Sequence, residues 1–315
     1  MAKVLITGIA GSLAQLAALE LIRRGDEVIG VDYRAKPIDL PRGIAFHRAS
    51  YNKSGILDIF RRHGPERVLH LGRVGNLRVR PNQRFDLNVV GSAKIQELSL
   101  EYGVSQLVVL STYHIYGAHP YNHIPILEDE PVRALQTVPE LADATQLDGQ
   151  AVTFAFRHPA LSTIVLRPSN VIGPHINNTT CRYLRARTVP YVSGFNPMWQ
   201  FLYESDMLRA LLLALDSGTS GVFNVAGRGS IPIVEALKIA GGTLLPVPPP
   251  LIWPLRRLAD SVRSTVPPYL VDFLKYPVIV SDDRFRAAFD WEPRIGIPEA
   301  IRSTISRMPL TAGIG

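Results

Sequence analysis

Apolar runs alternate with amphipathic stretches through the first two thirds of the chain, in the order strand, helix, strand. Val4, Leu5 and Ile6 are continuously apolar, the pattern of a strand covered on both faces. Leu16, Leu19 and Ile22 then recur at helical spacing before a stop at Gly25, and residues 27–33 form a second strand. The same reading predicts strands over 43–47, 67–71 and 106–110, and helices over 53–63 and 83–102, the last ended by Gly103. Further on, Leu208, Leu211, Leu212 and Leu215 mark a helix over 205–217, and 222–225 completes the sheet. Alternation of this kind builds an α/β fold whose parallel sheet carries helices on both faces and whose ligand crevice lies at the C-terminal strand ends.

The first strand runs into Thr7-Gly8-Ile9-Ala10-Gly11-Ser12-Leu13-Ala14, which passes through two glycines into a helix. Small residues there let backbone N–H groups face a pyrophosphate at the helix N-terminus, and Ala14 fills the third position of the dinucleotide fingerprint. Asp32, at the end of the second strand, stands where a carboxylate accepts ribose hydroxyls and repels a 2′-phosphate. NAD is therefore the expected cofactor; Arg34 beside Asp32 leaves NADP as the less favoured alternative. The doubly wound, Rossmann-type domain is expected over residues 1–175, completed by about 200–226, with 176–315 mainly a smaller substrate domain.

Composition narrows the partners. A formal charge of +7 suits an anionic small molecule, and the basic residues occur singly or in pairs without aromatic interleaving, which argues against nucleic acid. No apolar run of about 18 residues is present for a membrane span, and Met1-Ala2-Lys3 leads straight into a strand without room for a signal peptide. The single cysteine, Cys181, excludes an internal disulfide and a multi-cysteine metal site, and fits a reducing cytoplasm. In the proline-punctuated last third, residues 251–263 mix Trp253, Leu255, Leu258 and Val262 with Arg256, Arg257 and Arg263, a composition for core packing with snorkelling arginines, for contact with a membrane surface or for an apolar substrate.

Directly after the strand over 106–110 come Ser111-Thr112-Tyr113-His114-Ile115-Tyr116-Gly117, delivering hydroxyls, phenols and an imidazole to the crevice mouth. Here the chain resembles the extended short-chain dehydrogenases/reductases of the nucleotide-sugar epimerase/dehydratase type. The resemblance rests on the glycine loop with Asp32, His70-Leu71, Asn88-x-x-Gly91, Ser111-Thr112 with Ile115-Tyr116-Gly117, and Leu166-Arg167-Pro168-Ser169-Asn170-Val171-Ile172-Gly173-Pro174. Tyr203-Glu204-Ser205-Asp206, Gly221-Val222-Phe223-Asn224-Val225 and a terminal signature in which Asp290 replaces the usual glycine extend it. It implies a cofactor site of Gly8, Ile9, Ala10, Gly11, Ser12, Leu13, Asp32, Tyr33, Arg34, Leu71, Gly72, Arg73, Asn88, Leu110, Ser111, Pro168, Ser169 and Val171. It also implies that Thr112 bonds the reacting sugar oxygen, that Asp206 fixes the last part of the sheet, and that the helices around Asn88 and Gln146 form a homodimer contact.

One family element is missing. The Tyr-x-x-x-Lys pair supplies the acid/base and the cation that holds the nicotinamide ribose, and four-residue spacing puts both on one helix face. No such pair occurs in the 315 residues, and family spacing from Arg167 lands on Leu141 and Thr145. The nearest look-alike, Tyr183 with Arg187, follows Gly173-Pro174 and so belongs to the substrate side. The acid usual after the third strand is also replaced, by Arg48-Ala49-Ser50. Tyr113 and His114 stand where water-eliminating members carry an acid/base pair, and a histidine near neutral pH can move a proton with Tyr113 or Tyr116 as its phenolic partner, the alternative being a packed or surface imidazole. Asn177 and Asn178, with a basic helix bearing Arg182, Arg185 and Arg187, are expected to hold a substrate diphosphate. Three readings stay open: an NAD-dependent enzyme on a sugar-like substrate with a non-standard acid/base, an inactive NAD(H)-binding scaffold or sensor, and a reductase or lyase on a non-sugar substrate.

Overall fold

The computed structural model describes residues 1–75, 79–251 and 270–306. Seven parallel strands form the central sheet: β1 (Lys3–Thr7), β2 (Glu27–Asp32), β3 (Ile44–Arg48), β4 (Arg67–His70), β5 (Gln106–Leu110) and β6 (Ser162–Pro168), with a late strand, Gly221–Val225, at one edge. From the other edge their order is β3, β2, β1, β4, β5, β6 and then Gly221–Val225. The order reverses between β1 and β4, so the crevice opens there, beyond the C-terminal ends of these strands.

Helices cover both faces. Ser12–Arg23 (α1) packs on one face through Ala14, Ala17, Ala18 and Leu21, together with the helix Glu204–Asp216 through Met207, Leu211 and Leu215. Ser54–His63 (α2) covers the opposite face with Ile56, Ile59 and Phe60. The helix expected over 83–102 is three pieces, Pro81–Phe85 (α3), a π-helical turn Asp86–Val90, and Gly91–Glu101 (α4). The wide turn places Asn88 so that its side chain accepts from the Val74 N–H at 2.7 Å and donates to the Val74 carbonyl at 3.1 Å. Helical periodicity carries no trace of that insertion, because the apolar stripe resumes at Ile95 and Leu98.

The chain then contributes the turn Ala134–Thr137 (α5) and the long helix Ala142–Arg157 (α6), which runs along the face shared with α2 and α4. After β6 come Asn170–Ile172 (β7) and the short helix Thr179–Leu184 (α7). A separate apolar cluster, including Ile172, Cys181, Leu184, Val189, Trp199, Ile233, Leu237 and Ile301, forms the core of the C-terminal part. Asp290 takes φ +45° and closes the helix Asp283–Phe289, the left-handed position for which glycine is the ordinary choice. Trp291 beside it is 1 % exposed in the main core. Residues 252–263 of the amphipathic stretch lie outside the described residues. Among the described residues no helix is long and apolar enough to cross a membrane.

Candidate functional site

A hydrogen-bonded chain fixes the switch point. The Gly72 N–H donates to Thr7 Oγ1 at 3.1 Å, Thr7 Oγ1 lies 2.7 Å from His70 Nδ1, and His70 Nε2 lies 2.7 Å from Ser92 Oγ. With the Thr7 hydroxyl donating to Nδ1 and Nε2–H donating to Ser92, every group in the chain is satisfied by a neutral imidazole. Gly8 approaches Gly72 so closely that a Cβ on Gly8 would meet Gly72 Cα at 2.6 Å. Beneath them lies Tyr51, wholly buried, whose hydroxyl accepts from the Gly8 N–H at 2.9 Å. Burial pushes its phenol well above the ordinary range, so it stays protonated. Sequence reasoning missed Tyr51, since a lone tyrosine past a strand carries no periodic signal.

From this point a cleft of about 530 Å³ extends in both directions. At one end it is lined by Asp32, Tyr33 and Arg34, in the middle by Gly8, Gly11, Ser12, Leu13, Leu71, Gly72 and Arg73, and at the other by Leu110, Ser111, Thr112, His114, Pro168, Ser169 and Val171. Asn177, Asn178 and Arg182 continue the lining on the substrate side. The N-terminus of α1 has no side-chain cap, which leaves its first N–H groups to an anion. Ser169 is 3 % exposed and its hydroxyl has no partner among the described residues, so it offers an unsatisfied hydrogen bond to whatever fills the cleft. These features fit a nicotinamide dinucleotide. Ile9 and Ala10 are absent from the lining: Ile9 is wholly buried in the core, and the Ala10 N–H donates to the Asp32 carboxylate at 3.0 Å. Asn88 also stays outside it and acts on the wall through Val74.

The four residues expected to do chemistry separate into two pairs. Thr112 Oγ1 lies 2.8 Å from His114 Nδ1, and both line the cleft. Tyr113 and Tyr116 do not: Tyr113 is buried against Phe273, and Tyr116 is 1 % exposed. The Tyr116 hydroxyl donates to Asn224 at 2.8 Å and accepts from Arg167 at 2.9 Å, and burial pushes it up to about 12. It braces the sheet edge. His114 departs from the near-neutral titration expected of it, because burial, aided by the Arg73 guanidinium, pulls it down to about 3. It is a neutral hydrogen-bonding partner.

On α6 the residues facing the cleft are Leu141, just before its first turn, Asp143 and Ala144. Thr145 faces away, its hydroxyl donating to the Leu141 carbonyl at 3.1 Å. Asp143, which sequence reasoning also missed, accepts from Arg84 at 3.0 Å and from Asn88. On the substrate side Arg185 leaves the cleft altogether. It donates to the backbone carbonyls of Thr304, Ile176, Gly173 and Pro174, holding the loop from beneath. Asn178 caps α7 by accepting from the Cys181 N–H, whereas Asn177 and Arg182 are exposed. The helix ends at Leu184, before Arg187, and Tyr183 is buried with its hydroxyl donating to the Pro190 carbonyl, so that look-alike pair is not assembled. Asp206 accepts from the Arg294 and Ile295 N–H groups at 3.0 and 3.1 Å, tying down the C-terminal segment rather than the sheet.

The buried histidines set a pH response. His70 is pulled down to about 4 from 6.5 by burial, so below about 6.5 the unfolded chain binds a proton that the folded one refuses. Stability is therefore fully present above pH 6.5 and falls by ~3 kcal/mol as acidification proceeds to the folded value, at about 1.4 kcal/mol per unit. Urea unfolding between pH 7 and 4 checks this; His114, pulled down to about 3, adds a second contribution of the same sign, so His70→Gln is expected to remove about half of the slope, and an unchanged slope would contradict the assignment.

The family model for the NAD-dependent epimerase/dehydratase family matches residues 4–226. The uncharacterised protein Rv0501 of Mycobacterium tuberculosis is 28 % identical over 314 residues, spanning 94 % of this chain and 81 % of its own length. A UDP-glucose 4-epimerase of Thermotoga maritima, solved with UDP-glucose, superposes with a TM-score of 0.77 at 25 % identity, covering 97 % of this chain and 98 % of its own. That of Thermus thermophilus, solved with NAD, gives a TM-score of 0.77 at 24 % identity, with 99 % and 100 % covered.

Proposed function

The chain belongs to the NAD-dependent epimerase/dehydratase family, and from that premise we propose that it holds NAD in the cleft and acts on an anionic, nucleotide-sugar-like substrate. The observation that carries this is one continuous cleft running from Asp32 past the glycine loop to Thr112 and on to Asn177 and Arg182. The α1 N-terminus and the glycine loop would hold the pyrophosphate, Tyr33 would flank the adenosine, and Pro168, Ser169 and Val171 would flank the nicotinamide. When bound, NAD supplies a reversible hydride acceptor next to the substrate.

Thr112 then orients the substrate. Its Oγ1 lies 2.8 Å from Nδ1 of neutral His114 and accepts from the His114 N–H at 3.4 Å, and a hydroxyl keeps capacity for a further hydrogen bond to a substrate hydroxyl. Arg182 and Asn177 offer charge and hydrogen bonds to a diphosphate. The Leu141 and Ala144 face of α6 brings neither phenol nor ammonium to the cleft, and this observation favours a second reading, a binding protein that senses the dinucleotide without turnover. A homodimer through the outer faces of α4 and α6, where Phe156 is 80 % exposed, and a cytoplasmic setting for the buried Cys181 complete the proposal.

Titrating the purified protein with NADH by fluorescence, then separating the products formed from a panel of nucleotide sugars by chromatography, distinguishes the readings, since a reaction that returns its hydride leaves no net change in NADH. Turnover abolished by Thr112→Ala supports the enzyme; tight NADH binding with no turnover supports the sensor. Arg182→Ala is expected to weaken nucleotide-sugar binding about tenfold, in line with a lost charged hydrogen bond of ~1.5 kcal/mol. Arg185→Ala is expected to lower stability and leave that affinity unchanged.

A further inference from the structure

The adenosine end of the cleft is built differently from what Asp32 alone suggests. Its carboxylate is wholly buried and accepts four hydrogen bonds: from the Ala10 N–H at 3.0 Å, the Arg34 N–H at 2.9 Å, Arg34 Nε at 2.9 Å and Arg34 Nη2 at 2.8 Å. A carboxylate offers about four lone-pair sites, so this one is saturated. It cannot take ribose hydroxyls without giving up a bond already made. Its charge is also matched by a guanidinium in bidentate contact, which removes the repulsion that would turn away a 2′-phosphate.

What the cleft presents instead is Arg34 itself, its side chain 47 % exposed and part of the lining. The guanidinium has five N–H donors and spends two on Asp32, leaving donors for an incoming anion. Arg48 stands across from Asp32 in the β2–β3 register, is exposed, and donates to the Tyr33 carbonyl at 3.4 Å. Two arginines thus flank one buried and neutralised acid.

We infer that this end of the cleft is a phosphate subsite, and that Arg34 lets the protein bind the 2′-phosphorylated dinucleotide NADP(H) as well as NAD(H). The inference rests on the proposal that the cleft holds a nicotinamide dinucleotide. Asp32 serves as the anchor that aims the guanidinium, rather than as the acid that excludes NADP.

Equilibrium binding tests it without turnover. Fluorescence titration of the full chain is expected to give a Kd for NADPH within about tenfold of that for NADH, and adenosine 2′,5′-bisphosphate is expected to compete better than 5′-AMP. Arg34→Ala and Arg34→Gln are expected to weaken NADPH about twentyfold, the loss of a charge-assisted contact, and to hold or tighten NADH binding, because the side-chain bonds given up by Asp32 become available to ribose hydroxyls. Glutamine keeps a donor toward Asp32, so it guards against unfolding of the alanine variant. NADPH binding more than about tenfold weaker than NADH, or equal losses for both in Arg34→Gln, overturns the inference while sparing the dinucleotide reading. Failure to bind NADH as well overturns both.

Discussion

Asp148→Ala is expected to destabilise the fold by about 3–5 kcal/mol, more than any change at the cleft, because it strands a buried cation. Asp148 is 1 % exposed on the inner face of α6 and receives Arg167 in a bidentate pair, Nε at 2.9 Å and Nη2 at 2.6 Å, with the Ser111 hydroxyl donating at 2.6 Å. Arg167 itself is 5 % exposed and also donates to the Tyr116 hydroxyl and the Glu128 carbonyl, each at 2.9 Å. These bonds tie α6, β6 and the turn after β5 into one unit directly behind Thr112. Removing the carboxylate leaves a charged guanidinium with only neutral partners in a low dielectric. The urea midpoint reads the loss. The double variant Asp148→Leu with Arg167→Met removes both charges and is expected to lose less than the sum of the singles. A single variant within about 1 kcal/mol of the parent would refute the pair's role.

The second large effect belongs to Gly8→Ala, which is expected to reduce NADH affinity by about a hundredfold or more, close to 3 kcal/mol. Gly8 has φ +73°, and its added Cβ would meet Gly72 Cα at 2.6 Å and the Leu71 carbonyl at 2.9 Å. Both neighbours are backbone atoms just past the end of β4, so neither can rotate away as a side chain would. β1 and β4 must part where the cleft floor is made. Gly25→Ala is the control: φ is +88° but nothing lies within 4 Å of the new methyl, so it costs strain of ~1 kcal/mol and leaves NADH binding unchanged. NADH titration of both variants decides it, and equal affinities would remove the close approach from the account.

Much of the frame was legible because it is written in local periodicity. The apolar run at Val4, Leu5 and Ile6, the glycine loop and the helices over 12–23 and 204–216 follow from patterns of two and 3.6 residues and from turn chemistry. Ser111, Thr112 and His114 also lie where a strand-end sequence predicted, at the crevice mouth. Less legible was which way a polar side chain faces once two elements meet. Tyr113, Tyr116 and Arg185 look as chemical in sequence as Thr112 and Arg182, yet they turn inward: Tyr113 packs on Phe273, Tyr116 meets the buried Arg167, and Arg185 braces backbone carbonyls.

By itself, then, the sequence determined the alternation of strands and helices that builds the dinucleotide fold, the family, and the absence of a Tyr-x-x-x-Lys pair, since each depends on residue type at a fixed spacing. Tertiary structure alone decided that Asp32 is saturated by Ala10 and Arg34, that His114 is held neutral, and that Leu141, Asp143 and Ala144 face the cleft. The physical reason is that charge and protonation depend on burial and on partners brought from distant elements, and these enter only when the chain has closed on itself.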